Sequence, residues 1–138
     1  MQRLASVLRV LSVGFLAVAG LHVILGVRAD VALGADLPMG AVENATLDSQ
    51  NRFYGVAFSL YGVLLYVCAA NVARYADVLR CVFWAFFAGG LARVVSIALL
   101  GMPSPLVMAL LAMELIAPPV LHTWLSRTVR VAGVVGSP

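Results

Sequence analysis

Four stretches of this chain, Val10–Val27, Phe53–Ala73, Cys81–Leu100 and Leu106–Leu125, are apolar for about as long as a helix needs to cross a bilayer. At 1.5 Å per residue, roughly 20 residues span the ~30 Å of hydrocarbon. In such a medium every backbone polar group must be satisfied within the segment, so each stretch is expected to be a helix. The expected fold is all-α: an integral membrane four-helix bundle in a single domain of 138 residues. Composition agrees, with 63% hydrophobic residues, 11% charged and a mean hydropathy of +1.04. The first run could be mistaken for a signal peptide, because Arg3 and Arg9 precede it and Ala17-Val18-Ala19 imitates a cleavage site. It continues apolar to Val27, too long for an h-region, and is read as a span.

The nine basic residues are all arginine, and their placement sets topology. Arg3 and Arg9, Arg74 and Arg80, and Arg127 and Arg130 fall on one side of a four-span chain. The other side carries Arg28 and Arg52 against Asp30, Asp36, Glu43 and Asp48, with an uncharged Gly101-Met102-Pro103-Ser104-Pro105 turn. Both termini are therefore expected in the cytoplasm and a long loop, 28–52, outside. The bias to arginine in an Ala/Val/Leu-rich chain suggests GC-rich bacterial coding and hence a bacterial inner membrane. No clustered basic face exists to bind nucleic acid. Cys68 and Cys81 suggest neither a disulfide framework nor a metal site, and no metal-ligand cluster, phosphate loop or CxxC occurs. No cofactor or metal is expected.

Ionisable groups at bilayer depth cost roughly 2.5–3.5 kcal/mol each on insertion scales, so they are read as functional by default. Arg93 lies about seven residues, or ~10 Å, below the outer end of the third span, and Glu114 about eight residues, or ~12 Å, below the start of the fourth. His22 lies about five residues, or ~8 Å, from the outer end of the first. The three share a layer. Arg93 and Glu114 either form an interhelical ion pair that fixes register or line a pocket in which arginine holds an oxygen-bearing group and the carboxyl exchanges protons. His22 is either a hydrogen-bonded core residue or a relay, and His122, near Trp124, reads as an interfacial anchor. Pro118 and Pro119 lack the N–H groups that would reach residues 114 and 115, which predicts a kink beneath Glu114. Gly89 and Gly90 precede Arg93 by about a turn and either let another backbone approach closely, the favoured reading, or leave a void beside the guanidinium.

The second span begins at the polar block Leu47-Asp48-Ser49-Gln50-Asn51-Arg52-Phe53-Tyr54-Gly55. Asp48 is expected as its N-cap and as an i,i+4 partner of Arg52. Asn51, Gly55, Ser59, Gly62 and Tyr66 form a small-residue stripe, and Tyr54, Phe58, Tyr61 and Leu65 an aromatic one that either packs in the bundle or lines a cavity. The candidate site thus has Glu114, Arg93 and Asp48 as its reactive groups and Arg52, Tyr54, Asn51, His22 and Tyr61 as ligand contacts. The 28–52 loop, long for a compact bundle, is a lid or partner-binding candidate. Asn44-Ala45-Thr46 is read as a chance sequon, and the tail VAGVVGSP as mobile.

Ser49-Gln50-Asn51-Arg52-Phe53-Tyr54-Gly55, Gly89-Gly90-Leu91-Ala92-Arg93 with Gly101-Met102-Pro103, and Glu114 with Pro118 occur in order along nearly the whole chain. In these motifs the chain resembles the small four-helix bacterial membrane proteins grouped as domain of unknown function 4345. The resemblance implies a four-helix architecture broadly like that of DoxX proteins and supplies no reaction. Two functions are expected from the residues themselves. One is a pocket that binds a small apolar, isoprenoid-like or lipid-like molecule and acts on it by cofactor-free acid/base chemistry, such as isomerisation, cyclisation or epoxide opening. The other is a non-catalytic accessory subunit that meets a second copy of itself or a partner membrane protein.

Overall fold

The structure, a computed structural model, describes residues 1–135. Its long helices are α1 (Gln2–Leu25), α3 (Ala45–Ala70), α4 (Ala76–Leu100) and α5 (Pro105–Val135), with a short α2 (Arg28–Ala32) between the first two. All four long helices are apolar and long enough to cross a membrane, and at most 28% of the most apolar stretch of any is buried inside the protein. Large apolar side chains such as Val10, Ile24, Leu99 and Ile116 point outward. In water such a surface would be a liability; facing lipid tails it costs nothing. The chain is a multi-pass membrane protein.

The helices extend past the apolar runs, to ends set by their caps and turns. α1 starts at Gln2, not at residue 10, because helix continues past the edge of the apolar run. It stops at Gly26, whose φ of 57° lets the chain turn back while its N–H donates to the His22 carbonyl. The Asn44 side chain accepts from the N–H groups of Thr46 and Leu47 at 3.0 and 3.1 Å. Asn44, not Asp48, is therefore the N-cap of α3, and the residue first read as half of a chance sequon starts a helix. The connection accordingly shrinks from 28–52 to residues 26–44, and it contains α2 and a 3₁₀ turn, Ala41–Glu43. α4 begins at Ala76, five residues before the apolar run, after a turn in which Asn71 accepts from the Arg74 N–H. At the opposite end, Gly101 (φ 95°) closes α4, and Pro105 opens α5, where a missing N–H does no harm. α5 runs unbroken through Pro118 and Pro119 and on to Val135, so the first residues of the tail expected to be mobile are helical. Its last three residues lie outside the described residues.

The helices run up, down, up and down, which brings both ends of the bundle's chain to the arginine-rich side. A Cβ on Gly55 would fall 2.9 to 3.0 Å from atoms of His22, Ala19 and Val23, and one on Gly62 would meet Leu16 and Ser12. The small-residue stripe of α3 is thus the surface on which α1 lies antiparallel, backbone close to backbone. Gly90 plays the same part between α4 and α5, where a Cβ would stand 3.0 Å from the Glu114 Cβ. α1 pairs closely with α3 and α4 with α5, whereas α1 and α5 scarcely approach each other.

One apolar core joins the two pairs. Leu4, Leu8, Leu65, Cys68, Leu79, Phe83, Leu121 and Leu125 are buried together, and all belong to the arginine-rich half. Midway along the bundle Phe15, Phe58, Tyr61 and Phe86 stack at centroid distances of 4.9 to 5.8 Å. Beyond that aromatic layer, toward the loop, the pairs separate.

Candidate functional site

The separation leaves a cavity of about 500 Å³, within the size range of small-molecule sites. Phe15, Phe58 and Phe86 form its floor, and Val18, Leu110 and Met113 its walls. Asp30, Leu33 and Ala35 roof it from the loop. The roof reaches the far helix pair: a Cβ on Gly34 would lie 3.7 Å from Ser104, in the turn between α4 and α5. Four ionisable side chains, His22, Asp30, Arg93 and Glu114, line this otherwise apolar space.

Arg93 and Glu114 meet across α4 and α5, as their matched depths require. The Arg93 Nε–H donates to Glu114 Oε1 at 3.0 Å. Oε2 is nearer, at 2.8 Å, but off the N–H direction, and it accepts no hydrogen bond. The carboxyl is 5% exposed, whereas the arginine side chain keeps 42% of its surface. A buried carboxylate needs its cation nearby, and Gly90 supplies the close helix approach that provides it. Packing, rather than a void beside the guanidinium, is what that glycine serves.

Beneath the roof stands a second polar group. His22 Nδ1 is 2.8 Å from the Val18 carbonyl, which can only accept, so Nδ1 carries a hydrogen. Nε2 faces Asp30 Oδ1 at 3.4 Å. With one ring hydrogen already donated, the histidine and the carboxylate attract only when a proton lies between them. Asn51 holds the arrangement by donating from Nδ2 to Asp30 Oδ2. Asn51 therefore touches the cavity through Asp30 and does not itself line it.

Asp48 and Arg52 work elsewhere. The Arg52 Nε–H donates to Asp48 Oδ2 at 2.7 Å, and Nη1 donates to the carbonyls of Val23 and Ile24 at 2.6 and 3.0 Å. Asp48 Oδ1 accepts from the Val27 N–H. Together they clamp the last turn of α1, whose carbonyls have no partner within the helix and favour a cation. Glycine at 26 is required there, because a Cβ would fall 1.7 Å from Asp48 Oδ1. This capping task explains an arginine on the side of the chain where topology does not call for one. Neither residue lines the cavity.

Tyr54 lines the cavity and is otherwise exposed. Tyr61 belongs to the aromatic layer and borders a much smaller apolar gap beneath it, beside Leu65, Val82 and Pro118. His122 packs against Trp84, ring centroids 5.6 Å apart, away from the site. Asp30 was missed by sequence reasoning. The available signal was Gly26 eight residues before Gly34, with an acid between them, just past a histidine that ends a span. Among the described residues no group of three or more His, Cys, Asp or Glu side chains could hold a metal ion.

The family described as Domain of unknown function (DUF4345) matches residues 4–125, which include every residue of the cavity. The chain belongs to the DUF4345 family. Comparisons with curated proteins and with solved structures return no match. In this DUF4345 protein, the paired Arg93–Glu114 and His22–Asp30 groups present both donors and acceptors to one apolar space.

Proposed function

We propose that this protein, placed in a bacterial inner membrane with its arginine-rich end in the cytoplasm, holds a small apolar, isoprenoid-like or lipid-like molecule in the loop-end cavity and acts on it by cofactor-free proton transfer. The observation that carries the reading is the cavity of about 500 Å³ with an incompletely bonded, buried carboxylate in its wall. An apolar space with a few convergent polar groups is the usual form of a small-molecule site. Glu114 would exchange the proton, and Arg93 would stabilise negative charge as it develops. His22 and Asp30 would relay or return the proton, with Asn51 orienting Asp30 and Tyr54 contacting the bound molecule. Isomerisation, cyclisation and epoxide opening are the reactions such groups can drive without a cofactor. Asp48 and Arg52 drop out of the reacting set, since their hydrogen bonds are taken by the end of α1.

A second reading has its own support. The Arg93–Glu114 contact and the tight Gly90 crossing also suit an accessory subunit in which the ion pair only fixes the register of α4 on α5. Glu114→Gln and Arg93→Leu, made singly and together, separate the two. A ligand site leaves the Glu114→Gln protein folded and removes binding of the lipid that co-purifies with the wild type. A register pair gives large folding losses in either single variant, about 3–5 kcal/mol, with partial rescue in the double.

A further inference from the structure

Within the site as read above, on which this inference rests, the ion pair is unevenly used. A guanidinium carries five N–H donors; among the described residues only the Arg93 Nε–H is engaged, with Glu114 Oε1. The remaining donors belong to a side chain that keeps 42% of its surface and lines the cavity. On the acceptor side, Glu114 lines the same space, and its Oε2, buried 2.8 Å from the Arg93 Nε, accepts no hydrogen bond. Donors and an orphaned acceptor therefore stand side by side at one wall.

Charge decides which head group suits them. Arg93 and Glu114 neutralise each other, and the other pair of the lining, His22 facing Asp30, adds no unpartnered positive charge. An anionic head would add uncompensated charge to an apolar space at membrane depth, which is unfavourable. A hydroxyl adds none. Its oxygen accepts from the free guanidinium N–H groups, and its hydrogen donates to Oε2, completing both partners at once. The rest of the lining, with Phe58, Phe86, Leu110 and Met113, suits a hydrocarbon tail.

Geometry also indicates the direction of access. The loop roof meets the α4–α5 turn at Gly34 and Ser104, which covers the water side. The lining follows α1 from Val10 to His22 and α5 from Val107 to Glu114, two helices that scarcely approach each other. The open seam faces the hydrocarbon. We propose that the cavity takes a neutral lipid alcohol laterally from the bilayer, between α1 and α5, and seats its hydroxyl between the Arg93 guanidinium and Glu114 Oε2.

The test uses the intact protein in lipid nanodiscs and three tritiated probes: farnesol, its methyl ether and farnesoic acid, the last kept ionised at alkaline pH. Binding is counted above that of a Gly14→Trp protein, whose new side chain occupies the cavity. Farnesol is expected to bind at least about tenfold more tightly than the ether, which cannot donate to Oε2, and than the ionised acid. The comparison is made on unaltered protein, so it does not depend on whether a Glu114 variant folds. Equal binding of the ether, or tighter binding of the acid, overturns the hydroxyl assignment and leaves the cavity reading standing. Binding of none of the three above the Gly14→Trp background overturns the cavity reading, and this inference with it.

Discussion

At the arginine-rich end, Leu8, Leu65, Leu79 and Leu125 close four helices on one another. At the loop end, the same four helices part around about 500 Å³ of space bordered by four ionisable groups. The two halves have similar apolar composition along their helices, so hydrophobicity does not separate them. What does is the size and partners of the residues facing inward: leucines interlock in one half, whereas in the other Arg93 pairs with Glu114 and His22 with Asp30. A half that packs fully supplies rigidity, and a half that does not has room for chemistry. The aromatic layer of Phe15, Phe58, Tyr61 and Phe86 is the boundary between them.

This contrast is open to attack at single residues. Leu8 is completely buried in the sealed half, so Leu8→Ala should cost roughly 2–5 kcal/mol, read as a lowered midpoint of reversible unfolding in mixed micelles. A comparable truncation at the cavity wall, Leu110→Ala, should cost far less, because Leu110 already borders empty space. Equal losses would show that the cavity half is as tightly packed as the core.

Gly26→Ala should come next. It places a side chain at φ 57° and against the Asp48 carboxylate, a strain of about 1–2 kcal/mol from the backbone alone. Hydrogen exchange should speed up at Val27 to Asp30, and the roof that carries Asp30 should loosen while the leucine core stays protected. Faster exchange throughout the bundle would mean that the clamp supports the whole fold rather than the roof.

The smallest effect should be at Gly14. A Cβ there meets nothing within 4 Å, and alanine is the better helix former by roughly 0.8–1.0 kcal/mol in a soluble host. Gly14→Ala is therefore expected to leave thermal stability unchanged or raise it slightly, whereas Gly55→Ala, at the α1–α3 crossing, should lower it. The reverse order would contradict the placement of the cavity.

The two halves also differed in how readily they could be read from the residues. Spans, their order and the sidedness of the arginines follow from local hydropathy, which is a property of each segment alone. The Arg93–Glu114 contact was legible too, because a short turn between α4 and α5 fixes their depths. The Gly55 and Gly62 stripe showed the face that α1 covers. Asp30 was not legible: it reaches the cavity only because Gly26 turns the chain back over His22. The i,i+4 pair of Asp48 and Arg52 was visible, but what it grips lies 21 to 29 residues away in the chain, beyond any local pattern. Asn44 was hidden because its capping role and its place in a sequon use the same residue types. An internal space is the hardest feature to see in a sequence, since it is set by what neighbouring helices fail to fill.

The most direct test of a loop-end ligand site is native mass spectrometry of the wild-type and Gly14→Trp proteins released from the same membranes. A site predicts that the wild type carries a bound apolar molecule and that Gly14→Trp, with an unchanged melting midpoint, has lost it. A wild type that emerges without any bound molecule, or a Gly14→Trp protein that retains it, would contradict the site.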